Sequence, residues 1–280
     1  MTAEEMVEQS KDTRFASQAA LRLVSLLDQP DAGNDSVVDI LRCDNVLTAK
    51  LLRACNSPYF GFSEISSVDQ AVMLLGHQQI LETVLALEFS ATMQVPLPGY
   101  AVEAKELWHH SLATANAAEL IAKTGMIDAE LGAAFTAGLL HDIGKLVMNH
   151  VLIPERQSEI RSRISAGSAR VVAEQEVLGT DHARVGAALL RKWNLPAAIV
   201  EAVEYHHQPM LKPSPGLSAI AHIADVSVHL AGSAPGWDAY AIAIQDDLAE
   251  ELGITQERLE LLVIDVRESF ARVEEMMSMV

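Results

Sequence analysis

The chain has 280 residues, half of them hydrophobic but only 5% aromatic, enough for one large domain or two small ones around a buried core. Its formal net charge is −18, which disfavours nucleic-acid backbones and anionic membranes as partners because both repel an acidic surface. The polar start and the lack of an uninterrupted apolar run of about 18 residues predict neither a signal peptide nor a membrane span. Cys43 and Cys55 read as reduced core thiols rather than a disulfide framework. The expectation is a cytoplasmic protein.

Helical periodicity dominates the chain. Apolar positions recur at helix spacing over Phe15–Leu27, Val37–Leu41, Val46–Cys55, Val68–Leu75 and Ile80–Met93, with breaks at Pro30, Gly33, Ser57–Pro58 and Gly61. Pro96, Pro98 and Gly99 then close a predicted N-terminal helical lobe, 1–95. The next block, 101–232, opens with a helix over Leu107–Lys123. Asp128 is placed to cap a helix over Ala129–Leu146. Pro154 opens a polar helix to Val177, and Asp181 caps one to Trp193. Further helices are predicted over Ala197–His207 and Leu217–Leu230, separated by the loop 212–216. The tail 237–280 reads as a two-helix C-terminal extension. No strand pattern, fixed repeat or low-complexity tract is visible, so the predicted fold is all-α.

The heptapeptide LLHDIGK (Leu139–Lys145) sets His141 beside Asp142 at the end of an apolar run. Imidazole and carboxylate are ligands for divalent transition metals such as iron, manganese and zinc. On a helix these neighbours diverge by about 100°. Both can still meet an ion off the helix end, or Asp142 can bridge two ions. Alone, the pair also fits a capped helix end. His206–His207 is a second adjacent pair, readable as metal ligands or as an exposed helix C-terminus. Glu106 and His110 share a helix face and can chelate one ion or hydrogen-bond each other. His109 faces elsewhere, and His182 opens a helix. Asp225 lies in an apolar helix and needs a partner, either a metal or His222 one turn away. Lys145 can neutralise a substrate phosphate near a metal or be a solvated helix-terminal lysine. Facing helices that aim such groups inward are a general way to build a metal site.

The pattern His110, His141–Asp142 and Asp225 resembles the HD superfamily of metal-dependent phosphohydrolases. His182, His206, His207 and Glu106 extend the likeness to the ligand set of the HD-GYP branch, which degrades cyclic di-GMP. Its Gly-Tyr-Pro motif is missing, since Gln208–Pro209–Met210 follows the histidine pair. That departure speaks against cyclic di-GMP cleavage. ACNSPYFGFSEISSVDQAVMLLG (Ala54–Gly76), GLLHDIGKLV and DHARVGAALLRKWNLPAAIVEAVEYHHQP are similar to the HDOD branch, the HD-related output domain of bacterial signalling. The resemblance runs from about Phe15 to about Leu230. It implies an HD-type helical bundle behind the N-terminal lobe and a role downstream of sensory inputs. It also implies one or two metal ions held by Glu106, His110, His141, Asp142, His182, His206, His207 and Asp225. The first functional expectation is a regulatory protein that binds a metal and a signalling protein or a nucleotide or phosphate ligand. The alternative is a phosphohydrolase in which Asp142 and Lys145 serve catalysis. A third is an inert helical scaffold.

Overall fold

The computed structural model describes residues 1–10, 16–26, 33–61, 64–212, 216–236 and 243–279. Phe15, Leu27, Pro30, Trp237 and most of the loop 212–216 lie outside them. The described residues are helical, with one isolated β-bridge, Leu97 to Val102. No described helix is long and apolar enough to cross a membrane.

The first part holds α1 (Ala3–Gln9), α2 (Gln18–Ser25), α3 (Asn34–Arg42), α4 (Asn45–Cys55) and α5 (Val68–Met93). Side-chain caps start several of them: Thr2 in a capping box, Ser17, Asp44 and Ser67. Gly76, with φ of 77°, breaks α5 at the boundary expected between its two apolar runs. Cys55 is buried, but Cys43 is exposed, so only one of the two thiols belongs to the core.

The second part is built on α6 (Glu106–Lys123), which is buried along almost its whole length. Around it stand α7 (Leu131–Leu140), α8 (Gly144–Met148), α9 (Pro154–Ser165), α10 (Arg170–Leu178), α11 (His182–Lys192), α12 (Ala197–Tyr205) and α13 (Gly216–Ala231). Small side chains let α6 and α7 approach closely. A Cβ added at Gly138 would lie 2.7 Å from the Thr114 carbonyl oxygen. Then come α14 (Asp246–Leu252) and α15 (Gln256–Met279), the latter packed on α6 and α13 through Val266, Val273 and Met276.

Three local expectations change. Glu130, not Asp128, caps α7, its carboxylate accepting from the amides of Gly132 and Ala133. The helix expected over Ala129–Leu146 divides at 141–143, where Ile143, Lys145 and Leu146 bond three residues back instead of four. This tightened turn carries His141 and Asp142. The helix expected from Pro154 to Val177 also divides. Gly167 adopts φ of 98°, its amide donates to the Ile164 carbonyl, and the Ser168 amide donates to that of Arg163. This is a Schellman stop, and α10 begins afresh after it.

A buried polar knot joins α5, α6 and α15. Gln78 Nε2 donates to Glu82 (2.9 Å) and to Glu119 (2.8 Å), while Gln79 donates to the other Glu82 oxygen at 3.0 Å. Arg272 of α15 stands 3.9 Å from Glu82 and donates to the Tyr59 hydroxyl at 3.1 Å. Burial, then the Glu119 charge, pushes the Glu82 carboxyl up to about 7. A carboxyl whose folded pKa exceeds its unfolded value stabilises fully below the unfolded pKa and loses that contribution as pH rises through the folded one. Glu82→Gln removes this dependence. Urea unfolding at pH 4.5 and pH 8 is expected to show the variant gaining on the wild type at the higher pH, by on the order of 3 kcal/mol. An equal difference at both pH values would oppose this account.

A candidate metal centre

Five segments aim polar side chains at one enclosed point. His110 comes from the second turn of α6, His141 and Asp142 from the α7–α8 turn, and His182 from the first position of α11. His206 and His207 follow α12, and Asp225 lies inside α13. His110, His182 and His206 are fully buried; His141, Asp142 and Asp225 are at most 3% exposed. The Asp181 cap fixes the start of α11, its carboxylate accepting from the Arg184 amide, and so places His182. On the other side Gly144 opens α8, where an added Cβ would meet the His182 carbonyl oxygen at 1.9 Å.

The hydrogen bonds behind the rings assign their tautomers. His110 Nδ1 lies 2.9 Å from the Ser233 carbonyl, His141 Nδ1 2.8 Å from that of Gly138, and His206 Nδ1 2.7 Å from that of Val203. Carbonyl oxygens only accept, so each Nδ1 carries a proton and each neutral ring turns an Nε2 lone pair inward. His110 Nε2 and His141 Nε2 then face each other at 3.2 Å. His206 Nε2 is buried with no hydrogen-bond partner. Opposed lone pairs and an orphaned buried nitrogen are unfavourable unless a cation lies between them.

The spacing fits such a cation. His110 Nε2 is 3.1 Å from Asp225 Oδ1 and 3.8 Å from Asp142 Oδ2. His141 Nε2 is 3.3 Å from Asp142 Oδ2 and 3.7 Å from Asp225 Oδ1. Ligands on one ion with bonds of about 2.0–2.2 Å stand about 2.8–3.6 Å apart at octahedral or tetrahedral angles. A second group, His182, His206 and His207, meets the other Asp142 oxygen. His182 Nε2 is 3.4 Å from Asp142 Oδ1 and 2.9 Å from His207 Nε2. Asp142 therefore faces both groups, one oxygen to each.

Electrostatics keep most of these donors in a metal-ready form. Burial and the neighbouring imidazoles push His206 down to about 3 and hold His207 well below its ordinary value. Asp142 is held well below the carboxylate range. Burial acts against this, but Lys145 and His141 outweigh it. Asp225 is likewise low, against burial, through His229 and His110. His141 and His182 move up, because adjacent carboxylates (Asp142 and Glu174) outweigh their burial.

Three readings are corrected. Glu106 does not join the cluster; it is exposed and accepts from the Glu103 amide at 2.8 Å, tying down the start of its own helix. Lys145 is not a solvated helix end, since it is 3% exposed with Nζ 2.7 Å from Asp142 Oδ2. His222 is not the partner of Asp225. Its Nδ1 donates to the His206 carbonyl at 2.7 Å and so steadies the histidine pair. His109 is half-buried, 2.8 Å from the Ser233 hydroxyl. The sequence reading missed His229, whose Nδ1 lies 2.9 Å from Asp225 Oδ1 and which groups with His110 and Asp225. The four-residue step from Asp225 to His229 is the signal that could have found it. It also missed Glu174, which accepts from His182 Nδ1 at 2.7 Å. That contact joins separate helices and has no local signature.

Comparison with known proteins agrees with this architecture. The HDOD domain family matches residues 15–209. An HDOD domain protein of Geobacter sulfurreducens superposes with a TM-score of 0.73 at 25% identity, covering 98% of this chain and 95% of that one. A Marinobacter aquaeolei protein whose name suggests signal transduction superposes with a TM-score of 0.77 at 21% identity, over all of this chain and 61% of its own. A Shewanella amazonensis protein whose name suggests a phosphohydrolase gives 0.69 at 24% identity, over 99% and 97%. In sequence, an uncharacterised Treponema pallidum protein is 28% identical over 67% of this chain and 36% of its own length. Ribonuclease Y of Lawsonia intracellularis is 34% identical over 42% of this chain and 18% of its own. The chain thus spans little more than a third, or less, of these curated relatives. With the family match covering most of its length and the helical bundle shared, the chain belongs to the HDOD family.

Proposed function

We propose that this HDOD chain is a regulatory signalling protein that holds one or two divalent transition-metal ions at its buried histidine–aspartate cluster. The observation that carries this reading is the convergence of inward lone pairs on an enclosed point, with His206 Nε2 left without a partner. His110, His141, Asp142 and Asp225 would hold one ion, and Asp142, His182, His206 and His207 the other. Mixed imidazole and carboxylate donors suit iron, manganese or zinc. The burial of all these ligands except the half-buried His207 favours regulation, since a signal can act on a largely enclosed ion without a substrate reaching it. The family and the signal-transduction name of the Marinobacter neighbour support the same role. Partners would be a signalling protein or a nucleotide or phosphate ligand, met in the cytoplasm, where free Cys43 and Cys55 are at home.

A second reading, a metal-dependent phosphohydrolase, is favoured by one specific observation. Asp142 presents one oxygen to each donor group, as a carboxylate shared by two ions would. A bound ion pair would supply a water of lowered pKa and charge stabilisation at a phosphoester. Lys145, paired with Asp142, would then help neutralise substrate oxygens. The ribonuclease relatives would add RNA as a substrate, but a net charge of −18 works against it.

Elemental analysis of tag-free protein is expected to find one to two equivalents of transition metal after reconstitution. His141→Ala and Asp142→Ala should each lose it, and sub-stoichiometric wild-type protein would leave only the scaffold reading. Metal affinity should also fall on acidification from neutral pH, because protons compete for the raised His141 and His182 rings. A chelator titration at several pH values measures this, and a flat profile would contradict it. Against a panel of phosphomonoesters, nucleotides and cyclic dinucleotides, the hydrolase reading expects turnover in wild type that is absent in Asp142→Ala. Equal rates in both would sink that reading.

A further inference from the structure

Glu174 lies on α10, away from the segments that aim ligands at the cluster, and is fully buried. A carboxylate so enclosed costs several kcal/mol unless it is compensated. One oxygen, Oε2, accepts from the His182 backbone amide at 2.9 Å and from His182 Nδ1 at 2.7 Å. The other oxygen has no hydrogen-bond partner. The ring held this way points Nε2 at Asp142 Oδ1, 3.4 Å away. His110, His141 and His206 are backed only by neutral backbone carbonyls.

We propose that Glu174 is a positioning residue of the metal centre: it fixes His182 in the tautomer that donates through Nε2 and strengthens that nitrogen as a ligand by its charge. The inference rests on the metal reading above. An imidazole hydrogen-bonded to a carboxylate is more basic toward a metal than one bonded to a carbonyl. The double grip on the backbone amide and the ring also fixes the first residue of α11. Glu174 therefore sets both the direction and the strength of one ligand, and part of its burial cost is offset when a cation occupies the cluster.

The test compares the full-length wild type with Glu174→Gln, Glu174→Asp, His182→Ala and the Glu174→Gln/His182→Ala double variant. Each is titrated with Co(II) and Zn(II) against a competing chelator, and the visible absorption of bound Co(II) is recorded. Glu174→Gln is expected to weaken binding about 10- to 100-fold and to shift the Co(II) bands, with Glu174→Asp recovering part of both. In the His182→Ala background the Gln change should add nothing, because Glu174 acts through His182. Unchanged affinity and spectrum in Glu174→Gln, or additive losses in the double variant, overturn the proposal while leaving the metal reading intact. If Glu174→Gln does not fold, the Asp variant carries the comparison, and native affinity and bands in it count against the proposal. A wild type that binds neither ion brings down the metal reading itself.

Discussion

Carboxylates and imidazoles that cannot reach water must be neutralised by one another or by something they enclose. Asp142, Asp225 and Glu174 lie within one interior together with the histidines. Each buried charge carries a desolvation penalty of several kcal/mol. Lys145 offsets one of them directly. The remainder falls to the surrounding imidazoles or, in the function proposed above, to a metal ion. The helices around the cluster are arranged to satisfy this requirement. The outward-facing Nδ1 atoms spend their protons on carbonyls and a carboxylate, which leaves the Nε2 atoms to meet at the centre.

The site depends on irregular backbone more than on the helices themselves. His141 and Asp142 project together because the α7–α8 turn is tightened to three-residue hydrogen bonds. His206 and His207 fall just past the end of α12, where the chain is no longer helical, and His222 and Gln245 hold their carbonyls from behind. His182 stands at a capped helix start. His110, Asp225 and His229 are the members set within helices. An interior lined by helix ends brings polar side chains inward without leaving backbone groups unpaired, since each end is satisfied by a neighbouring element.

The sequence made the helical fold legible through period, caps and prolines, and α6, α11 and α13 lie close to where apolar spacing placed them. The polar cluster was legible only from its histidines and aspartates taken together, since the His141–Asp142 pair alone also fits a capped helix end. Side-chain direction was not. Glu106 and His110 share a helical face in projection, yet Glu106 sits in the first turn, where an unbonded amide nearby claims its carboxylate. His229 was overlooked in favour of His222, though both stand near Asp225 along α13. Only packing against α6 decides which one meets the carboxylate. The division of the helix expected over Ala129–Leu146 was equally hidden; the tightened turn lies beside Gly144, where α8 meets α11.

That approach has a consequence for how the protein tolerates change. Where Gly144 meets the His182 carbonyl, main chain touches main chain, and Gly186 of α11 lies against the Gly144 amide. The separation between the two halves of the cluster is thus gauged by atoms common to every residue type. The same contact leaves the gauge no slack, since a single methyl group at position 144 would prise the two halves apart.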